Sequence, residues 1–177
     1  DLCFKAEHEI FQTIHNAFVE LEWQIEDKPS KDFGFVYDQI VSHGELLSTK
    51  IISAYLNEHG LKNHWLDARD VLITDNTYRD AKVDWSLTEK LITKRINELK
   101  QSYPVIITQG FIGATSENFT TTLGREGSDY TAAIFSYSLN AEEMSVWKDV
   151  PGVLSADPKF PSPKTNSYKP SSISFTQ

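Results

Sequence analysis

Apolar residues recur along this chain with two different periods, and the alternation between the two predicts helices and strands in turn. In residues 6–25, Ile10, Ile14, Phe18 and Leu21 fall three or four apart, the spacing of one face of an amphipathic helix. Pro29 and Gly34 break that pattern and residues 35–41 resume it briefly. Residues 44–59 then predict a second helix, with Leu47, Ile51, Ala54 and Tyr55 on one side and Gly60 as its C-terminal stop. Residues 63–67 (NHWLD) predict a short strand, followed to residue 84 by a turn, a short helix and a loop. Ser86 and Glu89 have the spacing of a capping box, ahead of a helix that buries Leu87, Leu91, Ile92, Ile96 and Leu99 and reaches about Lys100. The unbroken run at residues 104–108 (PVIIT) predicts a central parallel strand buried on both faces, with Gly110 and Gly113 punctuating its carboxyl end. Residues 130–139 predict a buried helix, and residues 145–147 a last strand before the turn at Asp149, Pro151 and Gly152. Strands alternating with helices predict an α/β fold, a three-layer αβα sandwich with a mostly parallel sheet.

Composition narrows the chemistry. With 177 residues, 40% hydrophobic and 24% charged, the chain has the make-up of one globular domain with a substantial core. Its apolar runs are short, so no membrane partner is expected. A single cysteine, Cys3, excludes an internal disulfide and a thiolate metal cluster, and fits a reducing, cytoplasmic setting. The net charge of −8 argues against a nucleic-acid partner. An anionic ligand must therefore be drawn in by local cations, for which Arg125, Lys148 and Lys159 are candidates.

The densest candidate chemistry lies at residues 120–133, TTTLGREGSDYTAA. Gly124 and Gly127 allow a tight turn and close backbone approach to a ligand. Ser128 and Asp129 are good helix-capping residues, and the helix that follows points its first N–H groups back at the loop. Arg125 adds a planar cationic fork suited to a carboxylate or phosphate. This string resembles the aspartate kinase signature TTTLGRGGSDYTAA, departing from it only at Glu126. Residues 41–49 (VSHGELLST), 108–113 (TQGFIG) and 146–159 (VWKDVPGVLSADPK) resemble three further segments of that family, in the same order.

The resemblance implies the amino-acid kinase fold and transfer of the γ-phosphoryl group of ATP, accompanied by Mg2+, to the side-chain carboxylate of L-aspartate. It implies that Glu45, Arg125, Gly127 and Ser128 bind the substrate and that Asp129 takes the catalytic position, orienting lysines. From the residues alone, Glu45 also reads as an acid complementing a helix dipole, and Asp129 as a helix cap. The resemblance places Lys148, Asp149, Leu154, Asp157 and Lys159 at the nucleotide, where many relatives carry threonine, tyrosine and arginine in place of Lys148, Leu154 and Lys159. Glu126 sets a negative side chain beside an anion site and must point away from any bound anion. Neither the family's glycine-rich KFGGTS-like strand nor its FGAKVLHP-like segment occurs in the sequence. The expectation is therefore a partial catalytic domain, incomplete at both ends and without ACT domains. About residues 1–140 would belong to the amino-acid lobe and about 141–177 to the start of the nucleotide lobe. Such a piece is expected to lack turnover, and exposed sheet edges favour a homodimer or higher homo-oligomer. A silent aspartate-binding or regulatory module is the alternative from another class, and a kinase of acetylglutamate or uridylate the alternative within the superfamily. GREGSD is not the G-x-G-x-x-G of a dinucleotide fold, and no G-x-x-x-x-G-K-[ST] string occurs.

Overall fold

The computed structural model describes residues 4–26 and 32–147. Within them the chain forms α1 (Ile10–Glu26), α2 (Phe33–Glu58), β1 (Asn63–Trp65), β2 (Ile73–Thr74), α3 (Trp85–Leu99), β3 (Val105–Ile107), β4 (Ile112–Thr115), β5 (Thr120–Thr122) and α4 (Gly127–Ser138). A single 3-10 turn, Ala68–Asp70, joins β1 to β2. β1 pairs in parallel with β3, Asn63 opposite Val105, and β2 in parallel with β4, Ile73 opposite Ala114. β5 returns antiparallel beside β4, with Ile112 opposite Thr122.

Helices cover the strands from both sides, giving the expected αβα sandwich. One apolar cluster joins Leu66, Leu72, Ile92, Leu99, Leu123 and Ile134, bringing α3 and α4 onto the strands. A second joins Leu46 of α2 to Ala68 and Ile112, with Trp65 and Phe111 packed against it. Trp65 and Leu66 go to different clusters because successive side chains of an extended segment point to opposite faces.

The second helix is longer than its sequence pattern predicts. Asp32 caps it, accepting from Gly34 N at 2.8 Å and Phe35 N at 3.3 Å, and α2 then runs without a break through Gly44 to Glu58. A Cβ at Gly44 would meet nothing within 4 Å, so glycine there costs the helix only propensity, roughly 1 kcal/mol. Burial of Asp38, Ser42, His43, Leu46 and Ser53 along one side outweighs that cost. Glu45 therefore sits in mid-helix rather than in a first turn.

Other boundaries also move. The cap of α3 is Asp84, which accepts from Leu87 N at 3.0 Å, in place of the Ser86–Glu89 box. An aspartate two residues upstream reaches the same first-turn donors first. β3 is half-buried rather than buried on both faces, having β1 as its paired neighbour. Residues 145–147 adopt no regular structure, and Trp147 is 92% exposed. Thr120–Thr122, expected as part of a loop, is strand β5, which suits β-branched residues.

The outward edge of β5 is closed by side chains instead of another strand. The Gln39 amide accepts from Thr120 N at 3.2 Å and donates to Thr120 O at 2.8 Å. Asp38 accepts from Thr122 N at 2.8 Å, from Thr122 Oγ1 at 2.8 Å and from Arg79 N at 2.9 Å. Ala81 N donates to Thr122 O at 3.0 Å. All four outward backbone groups of Thr120 and Thr122 are thereby satisfied, as buried backbone polar groups must be. Asp38→Ala strips an acceptor from three donors and is expected to destabilise the fold by roughly 2–5 kcal/mol. A urea midpoint unchanged from wild type in that variant would show the clamp to be dispensable.

Candidate functional site

Leaving β5, the chain turns at Leu123–Glu126 into α4. Gly124 has φ of 76° and packs so closely that a Cβ would lie 3.0 Å from Arg79 O, so glycine is required there. Glu126 occupies the N-cap position in the left-handed region, φ 57°, and its side chain makes no capping hydrogen bond. The helix starts at Gly127, so Ser128 and Asp129 lie in its first turn rather than capping it. Without a side-chain cap at Glu126, the positive end of the helix dipole faces the loop. Ser128 is exposed and Asp129 half-buried.

The segment before β4 is packed hard against this helix start. A Cβ at Gly110 would lie 2.9 Å from Ser128 Cα, Cβ and Oγ, and one at Gly127 would lie 2.8 Å from Phe111 Cδ2. Thr131 Oγ1 accepts from Phe111 N at 3.0 Å while donating to Gly127 O at 2.9 Å. The Gln109–Phe111 segment thus packs directly against the start of α4.

Arg125 projects from the loop with its side chain 95% exposed, and its Nε lies 3.8 Å from Glu126 Oε1. Glu126 therefore leans toward the cation and competes for it, weakly, since both groups are solvated. Glu45 sits on α2, half-buried, and its burial raises the carboxyl pKa above the usual value. It forms no ion pair with any described residue. One helical turn on, Thr49 accepts from Gln109 Nε2 at 2.9 Å, so the helix face bearing Glu45 adjoins the same Gln109–Phe111 segment. The structure thus groups Arg125, Gly127, Ser128 and Asp129 at one helix start, with Glu45 on a neighbouring element. Lys148, Asp149, Leu154, Asp157 and Lys159 lie outside the described residues.

Two buried residues with a part in this geometry escaped the sequence reading. Asp38 and Gln109 are both fully buried; Asp38 was hidden by placing the start of α2 at residue 44, and Gln109 by being read only as part of TQGFIG. A cavity of about 80 Å³ lies between α1 and α2 and is lined in part by Arg69, Lys50 and His43. Its cations are already engaged. Arg69 makes a two-pronged pair with Asp67 at 2.9 and 2.6 Å, which raises its pKa, and Lys50 lies over the Trp65 ring at 4.8 Å.

Known proteins share this architecture. A profile of the amino acid kinase family matches residues 5–166. The lysine-sensitive aspartokinase 3 of Escherichia coli strain K12 is 40% identical over 126 residues, 69% of this chain and 27% of the relative. The chloroplastic bifunctional aspartokinase/homoserine dehydrogenase 1 of Arabidopsis thaliana is 41% identical over 123 residues, 69% of this chain and 13% of the relative. The crystal structure of E. coli aspartokinase III with aspartate and ADP matches with a TM-score of 0.77 at 35% identity, over 85% of this chain and 33% of that one. The chain thus spans a third or less of the length of these relatives. With a profile match over most of its length and the helix–strand–helix layers that the relatives share, the chain belongs to the amino acid kinase family.

Proposed function

We propose that this chain carries the aspartate-binding half of an aspartate kinase, the enzyme that phosphorylates the side-chain carboxylate of L-aspartate. The observation that carries this reading is Glu45: a half-buried carboxylate with a raised pKa and no cationic partner among the described residues, one helical turn from Thr49, which meets the segment packed against the start of α4. A cation brought to it offsets the burial, and an amino acid supplies one as its ammonium group. Its carboxylates then meet Arg125 and the N–H groups at Gly127 and Ser128, where the dipole of α4 is positive. Asp129, in the same first turn, is placed to orient a lysine beside the transferring group.

A carboxylate is already a nucleophile at neutral pH, so this half of the site needs no general base. Its work is to hold one anion in line for attack while N–H dipoles stabilise the charge that spreads in the transition state. ATP would supply the phosphoryl group, and Mg2+ bound with it would neutralise charge there. No group of three or more metal-ligating side chains occurs among the described residues. Lys148, Asp149, Leu154, Asp157 and Lys159 are the residues proposed for the nucleotide. The single cysteine supports a cytoplasmic setting, and a homo-oligomer is the proposed assembly.

Calorimetric titration of L-aspartate tests the reading. Arg125→Ala and Glu45→Gln are each expected to weaken binding on the order of tenfold or more, with N-acetylglutamate silent throughout. A folded wild-type chain that takes up no aspartate would overturn it. Glu45 also predicts an opposite effect on stability. Its folded pKa is raised, so the folded state binds the extra proton, and stability is lost as pH rises from 4.5 through the folded value. Glu45→Gln is therefore expected to unfold at slightly higher urea than wild type at pH 7, with the advantage shrinking as pH falls toward 4.5. An advantage that is independent of pH would contradict the burial of this carboxyl group.

A further inference from the structure

The two halves of the proposed site stand on different elements, Glu45 on α2 and Ser128 on α4, so something must set the distance between them. Thr49 sits one turn after Glu45, and its hydroxyl lies 2.8 Å from Glu45 O and 3.2 Å from Leu46 O, to which it donates. The same oxygen accepts from Trp65 Nε1 at 3.0 Å and from Gln109 Nε2 at 2.9 Å. A hydroxyl has one proton and two lone pairs, and all are used. Gln109 is fully buried and engaged at both amide atoms: Nε2 also lies 3.3 Å from Leu66 O, and Oε1 accepts from Ala68 N at 2.8 Å. The next residue, Gly110, abuts Ser128 without room for a Cβ.

A continuous path therefore runs from the Glu45 carbonyl through the Thr49 hydroxyl, the Gln109 amide and the Gly110 backbone to Ser128, with no unsatisfied group and no gap. We propose that Thr49 and Gln109 are positioning residues that fix the span between the ammonium-binding and carboxylate-binding groups, and so make the site select a four-carbon over a five-carbon acidic amino acid. The proposal rests on the assignment of Glu45 and Ser128 to the substrate. Neither Thr49 nor Gln109 need touch the ligand. Their effect is on length: glutamate is longer than aspartate by one methylene, and a rigid span rejects it, whereas a span free to open admits it. A methylene in a fixed site discriminates by roughly 10–200-fold.

The test is calorimetric titration of L-aspartate and, separately, L-glutamate into the full 177-residue chain. Wild type is expected to prefer aspartate by on the order of tenfold or more. Thr49→Val, which keeps the shape and removes the hydroxyl, is expected to bring the two affinities within roughly threefold of each other, and Thr49→Ser to restore the preference. Thr49→Ala, which leaves space for a water to satisfy Gln109, carries the same expectation if Thr49→Val does not fold. Trp65→Phe removes a different hydrogen bond from the same hydroxyl and should leave the preference intact, a result that a general loss of stability would not give. If wild type binds aspartate and both the valine and alanine variants, folded by circular dichroism, keep its preference, the positioning role is overturned while the substrate reading stands. If folded wild type binds neither amino acid, the substrate reading itself fails and the inference with it.

Discussion

The structure depends on how α2 closes the edge of β5. A short strand with one paired neighbour leaves backbone donors and acceptors on its other side, and burying them unpaired is costly. Here two successive side chains of one helix, Asp38 and Gln39, do most of the work of a missing strand, one accepting from Thr122 and the other exchanging both bonds with Thr120. The loop that carries Arg125 and Gly127 leaves β5 directly, so the same clamp positions the start of α4. Since α2 also bears Glu45, one helix places both halves of the site.

Electrostatics follows the same economy of means. The chain is strongly acidic overall, yet the proposed ligands are anions. Arg69 is already engaged, with Asp67 accepting from its Nε and Nη2 edge and Thr120 Oγ1 from Nη1. What remains at the start of α4 is the solvated Arg125, partly claimed by Glu126, and the helix N-terminus. Glu45 complements them by sitting where burial makes its own charge unfavourable until a cation arrives. As proposed, the site suits a zwitterion with an additional negative charge better than a simple anion.

Some of this was legible in the residue pattern. The helical period of α1, most of the apolar face of α3, the glycine stop after α2 and the layered α/β architecture all come from local spacing, which needs no tertiary partner to be read; Phe18 of α1 and Leu87 of α3, expected on the buried faces, are exposed. The TTTLGREGSDYTAA string placed Arg125, Gly127, Ser128 and Asp129 together because they are neighbours in sequence; Gly124 makes the turn as expected, whereas the second left-handed residue is Glu126 rather than Gly127.

What needed the folded structure was everything decided between distant segments. Gly44 reads as a helix boundary, and only the burial of the residues on either side of it carries α2 through. Thr120–Thr122 reads as a hydroxylated loop until β4 on one side and Asp38 and Gln39 on the other make it a strand. Gln109 is an unremarked polar residue in sequence; it is significant because Thr49, 60 positions earlier, meets it in space. The sequence by itself determined the helical periods, the layer order and the chemistry gathered in one loop, since those follow from neighbouring residues. Tertiary structure alone decided how far Glu45 stands from that loop, because the span is set by hydrogen bonds between segments whose separation no local pattern records.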